Sequence, residues 1–159
     1  MRDNCICCGG KLREVFNLGN QPLANKYPKT DQDFASEYTQ EMVVYLCDVC
    51  GYCHVPCEAD RAVFFEDYYY LSSVNKELVN HFSGMASDLV RDGARFVLDV
   101  GSNDGVLLRP LKELGVRCLG VDPSHNVGGI ANSNGLETFI GFFDDEIADR
   151  VIKEKGRPD

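Results

Sequence analysis

Apolar residues recur along this chain with two different periods, and the changes of period mark its elements. Val15, Phe16 and Leu18 read as a short strand broken by Gly19-Asn20-Gln21-Pro22, and residues 42–46 read as a second strand. Tyr27-Pro28 is another breaker and residues 29–40 are polar and acidic, so the first third of the chain is loop-rich. From Val74 the period lengthens: Val74, Leu78, Phe82, Met85 and Leu89 fall on one face of a helix that Asp92-Gly93 ends. Phe96, Val97, Leu98 and Val100 then form an apolar run without alternation, which suits a parallel strand covered on both faces. Residues 117–121 and 138–143 give two further strands. Helices are expected after Gly105, weakly over 126–134 with Gly135 as the stop, and after Asp144-Asp145-Glu146, where Ile147, Val151 and Ile152 follow. Pro110 predicts a kinked or short helix in the first of these.

This order predicts an α/β fold: a small cysteine-rich module over residues 1–57, a connecting aromatic segment and helix over 58–92, and the front part of a Rossmann-like parallel sheet over 93–159. The strand, tight turn and helix of residues 96–109, FVLDVGSNDGVLLR, are its centre. No apolar run reaches membrane-spanning length and no signal-peptide pattern opens the chain, so a cytoplasmic location is the expectation. The net charge of −9 is uneven, with +3 over residues 1–30 and −8 over 31–70. No basic stripe of the kind that tracks phosphates is visible, which argues against nucleic acid as a partner.

Eight cysteines then sharpen the picture. Cys5-x-x-Cys8 and Cys47-x-x-Cys50 are each followed by glycine, at Gly9 and Gly51, so the chain can turn under a metal and aim successive amides at the thiolates. Four thiolates close a tetrahedral shell, so the zinc is expected to be structural, with 38 residues inserted between the knuckles. Cys7 could compete with Cys8 only in the rarer C-x-C geometry, the closed shell leaves no position for Cys53, His54 or Cys57, of which His54 and Cys57 read as ordinary local residues, and Cys118 is a small core residue. A module this poor in apolar residues must draw folding energy from its metal.

The second candidate site is the glycine turn. Asp99 interrupts the apolar run near its carboxyl end, where open α/β sheets bind ligands, and Gly101 and Gly105 bracket Ser102, Asn103 and Asp104. Asp122-Pro123 follows the next strand about twenty residues on, the offset at which a carboxylate holds ribose hydroxyls. A dinucleotide fingerprint would have glycine at position 103, and the asparagine there would occupy space a pyrophosphate needs. An acid at Asp99 repels a pyrophosphate but suits a ligand carrying an ammonium and a sulfonium, so the pattern D-x-G-x-N-x-G favours S-adenosylmethionine over NAD. Asp99, Gly101, Ser102, Asn103, Gly105, Asp122 and Pro123 are the candidate cofactor residues. Upstream, Tyr68-Tyr69-Tyr70 cannot all face one way, so at least one phenol is expected at a cleft or in solvent, and His81 falls beside the apolar helix face.

Cys5-x-x-Cys8-Gly9, LGNQPLAN at 18–25, Cys47-x-x-Cys50-Gly51, DYYYLSS at 67–73, LDVGSNDGVLLRP at 98–110 and LGVDPS at 119–124 together resemble the zinc-containing, S-adenosylmethionine-dependent C-methyltransferases that act on nucleotide-linked deoxysugars. The resemblance implies that the zinc module helps enclose the sugar nucleotide, that a Rossmann-like domain binds the methyl donor, and that a C-terminal domain completes the site. It implies methylation of the carbon next to a ketone, through an enolate. Tyr68, Tyr70 and His81 match the region that approaches substrate in that family, which makes them the candidate catalytic residues. The family's histidine and glutamate catalytic groups match nothing here, and three strands stand where its sheet has seven. The expectation is therefore an N-terminal fragment that is not competent alone. Two other readings stay open: a zinc-ribbon interaction module with a scaffold Rossmann part, and an NAD-dependent sugar-modifying enzyme.

Overall fold

The computed structural model describes residues 4–56 and 60–159; Cys57 lies outside them. The chain divides into two compact units, Met1–Arg61 and Ala62–Asp159, so the aromatic segment and the helix after it fold with the parallel sheet. The architecture is α/β, a cysteine-rich module and a three-stranded parallel sheet with helices.

The first unit is built on two long antiparallel strands, β1 (Leu12–Pro22) and β2 (Thr39–Cys47), with a helix α1 (Asp31–Ala35) between them and a two-residue β3 (Cys53–His54) paired to β2. The expected break at residues 19–22 is instead a bulge: β1 continues to Pro22, and the register slips between Asn17 and Asn20. Gly19 takes φ +69° there and donates its N–H to Asn17 Oδ1 at 2.6 Å, so the breaker residues bend the strand without ending it. Helix α1 was not legible as periodicity. Its signal is a capping box, in which the Thr30 side chain accepts from the Asp33 N–H while the Asp33 carboxylate accepts from the Thr30 N–H.

The second unit opens with α2 (Arg61–Phe65), an irregular stretch and a 3-10 turn at Ser72–Val74, followed by α3 (Lys76–Arg91), which Asn75 caps. Strands β4 (Phe96–Val100), β5 (Arg117–Asp122) and β6 (Thr138–Ile140) pair in parallel in that order, separated by α4 (Leu108–Glu113) and α5 (His125–Ser133). Helix α6 (Asp145–Lys155) follows, its N-cap Asp144 accepting from the Ile147 N–H at 3.0 Å. Alternate residues of the strands serve opposite faces. Phe96, Leu119, Val121 and Phe139 pack with Val151 and Ile147 of α6, while Val97 and Cys118 face Ala86, Leu107 and Leu111 on the α3–α4 side.

Two expectations shift in detail. Helix α4 is short, as Pro110 required; Pro110 is its third residue, and its neighbours Arg109 and Leu111 still donate to the Gly105 and Leu107 carbonyls at 3.0 and 3.3 Å. Strand β6 ends at Ile140, not Phe143: Gly141 turns out of the sheet at φ +156°, which releases Phe142 and Phe143 from the strand. Gly120, in mid-β5, is required by packing, because a Cβ there would stand 2.4 Å from Ser102 Oγ, 2.7 Å from Thr138 Oγ1 and 2.9 Å from Leu108 Cδ1. Gly120→Ala is expected to destabilise the second unit by about 1–3 kcal/mol through overpacking, read as a lower denaturation midpoint.

Candidate functional site

The β1–β2 pairing explains how knuckles far apart in sequence meet. Leu12 pairs with Cys47, so the turn preceding β1 and the turn following β2 lie at the same end of the ladder. Each turn repeats one pattern. The first cysteine of each accepts at its carbonyl from the glycine after the motif, Gly9 N–H to Cys5 at 2.8 Å and Gly51 N–H to Cys47 at 3.0 Å. Both glycines adopt the left-handed conformation this closure needs, φ +71° and +74°. The turns then aim amides at sulfur: Cys7 N–H at Cys5, Gly10 N–H at Cys8 and Val49 N–H at Cys47, all 3.4 Å.

The four sulfurs of Cys5, Cys8, Cys47 and Cys50 lie within 4.8 Å of one another. Cys5 and Cys50 Sγ are 3.7 Å apart, and Cys8 and Cys47 Sγ are 3.5 Å apart. A tetrahedral zinc with sulfur at about 2.3 Å sets sulfurs about 3.8 Å apart, so the cage has the dimensions of a four-thiolate zinc site. Without a cation the cluster cannot ionise uniformly. Amides of Cys50 and Val49, with burial opposing them, bring the Cys47 thiol down to about 6. At Cys50 the Tyr52 amide pulls downward, but neighbouring thiols, Cys8 foremost, and burial outweigh it and push the thiol up to about 12. A divalent metal removes that conflict, because all four ligands can then be thiolates. Cys7 and Cys53 are exposed and outside the cage. His54 stacks on Tyr52, and its Nε2 is buried with no hydrogen-bond partner among the described residues.

In the second unit, the end of β4 and the end of β5 meet at the glycine turn. Gly101 and Ser102 donate backbone N–H groups to the Val121 carbonyl, at 2.8 and 3.2 Å, which ties the turn to β5. Asp122, 5% exposed, spans the junction: Oδ2 accepts from the Asn103 N–H and Oδ1 from the Ser124 N–H, both at 2.8 Å. Asn103 sits at φ +51°, a left-handed conformation that asparagine tolerates. A cavity of about 560 Å³ opens over this junction, lined by Val100, Gly101, Asn103, Asp122, Pro123 and Ser124 together with Tyr68, Tyr70 and Ser72. Phe65, Phe142 and Phe143 complete its wall, Phe142 edge-on to Phe65 with ring centroids 6.3 Å apart. Among the described residues the lining holds one formal charge, the Asp122 carboxylate, and no Lys, Arg or His.

Of the residues singled out from sequence, the cavity brings together Tyr68, Tyr70, Gly101, Asn103, Asp122 and Pro123. Ser102 is buried behind the turn with its Oγ unpartnered among the described residues, and Gly105 is buried where a Cβ would meet Leu136 at 2.6 Å. Asp99 is partly buried and does not line the cavity. Burial first, and the Asp122 charge second, push its carboxyl up to about 6. His81 lies on the exposed side of α3, edge-on to Phe82 with centroids 5.6 Å apart, away from the cavity lining. Sequence reasoning missed Phe65, Phe142 and Phe143. The signal for the last two was Gly141, which ends β6 and frees the aromatic pair behind it.

Fold and site thus define a chain with a zinc-knuckle module followed by a parallel α/β unit whose ligand cavity lies at its strand ends. Residues 5–65 match the Methyltransf_13 family model, described as a zinc binding domain. The chain is 28% identical to the C-methyltransferase NovU of Streptomyces niveus over 97% of its own length, and it spans 38% of the length of that relative.

Proposed function

We propose that this chain carries the zinc module and the S-adenosylmethionine-binding edge of a C-methyltransferase that acts on a nucleotide-linked keto-deoxysugar. The observation that carries the reading is the charge of the cavity. A dinucleotide brings a pyrophosphate, and among the described residues the lining offers it no cation; its one formal charge, Asp122, stands at the ribose position. A ligand with a sulfonium and an ammonium meets that field favourably. The similarity to NovU, named a C-methyltransferase, supports the same class.

In this reading Asp122 accepts hydrogen bonds from ribose hydroxyls with the lone pairs its two backbone donors leave free, while Gly101 lets ligand approach the main chain. Phe65, Phe142 and Phe143 offer apolar and stacking surface. S-adenosylmethionine supplies an electrophilic methyl carbon on its sulfonium. Tyr68 and Tyr70 line the cavity and can hold a proton or donate a hydrogen bond at a phenol oxygen facing a keto substrate. Zinc has no part in that chemistry, since four thiolates leave no open position.

Titration calorimetry with S-adenosylmethionine and with NAD tests the proposal on the chain as it stands. The expected result is a saturable heat with the first and none with the second, and a loss of about tenfold or more in affinity for Asp122→Ala. Preferential binding of NAD would move the chain to the dehydrogenase-like class, and binding of neither would leave a zinc module on a scaffold.

A further inference from the structure

We infer that Asn103 is a positioning residue: it fastens the tyrosine-bearing segment 66–73 over the ligand cavity, and this is why asparagine stands where a dinucleotide-binding turn has glycine. The segment needs an external fastener. Between α2 and the 3-10 turn it has neither helix nor strand, and it belongs to no strand ladder among the described residues. Its polar groups are met by side chains from elsewhere in the unit. Asn103 Oδ1 accepts from the Ser72 N–H at 2.9 Å, and Asn103 Nδ2 donates to the Tyr70 carbonyl at 3.0 Å. Asp104 accepts from the Ser73 N–H at 3.3 Å and from the Ser73 hydroxyl. At the other end Asn126 pairs with Tyr68 on both sides of its peptide, accepting from N–H at 3.0 Å and donating to C=O at 2.8 Å, and the His125 N–H meets the Glu66 carbonyl at 3.0 Å.

Asn103 links this strap to the cofactor acid, because its own N–H is the one Asp122 holds at 2.8 Å. One residue, 7% exposed and in a left-handed conformation, therefore joins the β5 carboxylate to the backbone between Tyr70 and Ser72. A glycine would satisfy the backbone conformation and the Asp122 bond equally well, but it would leave the Tyr70 carbonyl and the Ser72 N–H without partners. The side chain is thus retained for the strap, and the strap carries Tyr68 and Tyr70, which line the cavity. Asp104 and Asn126 are auxiliary fasteners.

The consequence for ligand binding rests on the reading of the cavity as an S-adenosylmethionine site; the fastening itself does not. Asn103→Gly separates the two roles of the residue, since it keeps the turn and removes the clamp. Hydrogen exchange measured by mass spectrometry on the full chain should show amides of residues 66–73 exchanging about tenfold faster in the variant, with β4, β5 and β6 unchanged. Affinity for S-adenosylmethionine should fall about tenfold, because the cavity loses a fixed wall. Asn126→Leu, at an exposed site outside the turn, should speed exchange around Tyr68 independently. Unchanged exchange over 66–73 in Asn103→Gly would overturn the inference, whatever Asn126→Leu shows. If the parent chain binds no S-adenosylmethionine while the strap still loosens, the cofactor reading fails and the positioning role stands.

Discussion

Removing zinc is expected to unfold the first unit while the second keeps its structure. The reason lies in how little apolar surface the first unit buries. Among the described residues, its buried hydrophobic side chains are Cys5, Leu23, Val43 and Cys47, and two of these match the metal cage. Val15, Phe16 and Leu18 of β1 stand about half exposed, and of the apolar residues of β2 other than Cys47 only Val43 is buried. Structural zinc bound by four thiolates contributes on the order of 10 kcal/mol to folding, more than so small a core can replace. Chelation, or Cys47→Ser, should therefore abolish exchange protection across Leu12–Pro22 and Thr39–Cys47 and leave Phe96–Val100 and Arg117–Asp122 protected. Retained protection in β1 and β2 with metal analysis reading zero would count decisively against a metal-dependent fold. Acid should act in the same direction, since protons compete with zinc for the thiolates.

Asp99→Asn should make the second unit more stable and its cavity less able to hold a cation. Asp99 has its carboxyl raised to about 6 by burial and by the charge of Asp122. A carboxyl raised by folding contributes stability that is complete below its unfolded value near 4 and is lost as pH rises through about 6. At neutral pH the ionised group thus costs the fold, by about 1–3 kcal/mol, and the neutral isostere removes that cost. The gain in melting temperature for Asp99→Asn should be near zero below about pH 3, grow between about pH 4 and 6, and level off above. The carboxylate's counterpart is functional: its field adds to that of Asp122, so the same substitution should weaken S-adenosylmethionine by about tenfold in the proposed site. A variant no more stable at pH 8 than at pH 5, relative to its parent, would remove this account of the acid pair.

Several parts of this molecule can be read from residue order because the physics is local. The paired C-x-x-C-Gly motifs carry their own turn geometry, and the structure assembles all four thiols into one cage. The apolar run of residues 96–100 is found as β4 and the spacing of Leu78, Phe82, Met85 and Leu89 as α3, while Val74, counted on the same face, lies exposed in the 3-10 turn ahead of the helix. Elsewhere a non-local partner decided the outcome. Gly19-Asn20-Gln21-Pro22 is a breaker by composition, yet antiparallel pairing with residues 39–41 holds it as a bulged strand. Asn103 is the clearest case. Its side chain, expected to fill ligand space, is taken up by the Tyr70 carbonyl and the Ser72 N–H, 33 and 31 residues away in sequence.

What the sequence by itself determined is the chemistry at each site: thiolates for zinc, carboxylates at successive strand ends, and glycines where the chain must turn tightly. Each of these follows from the residue and its near neighbours. Only the tertiary structure decided how they are arranged for a ligand. It placed Asp122 in the cavity and Asp99 beside it in charge but outside the lining, and left His81 on the outer side of α3. It also bound an irregular tyrosine segment over the turn through Asn103, Asp104 and Asn126. Those assignments depend on which side chain meets which backbone group across 31 residues or more, and no periodicity records such a meeting.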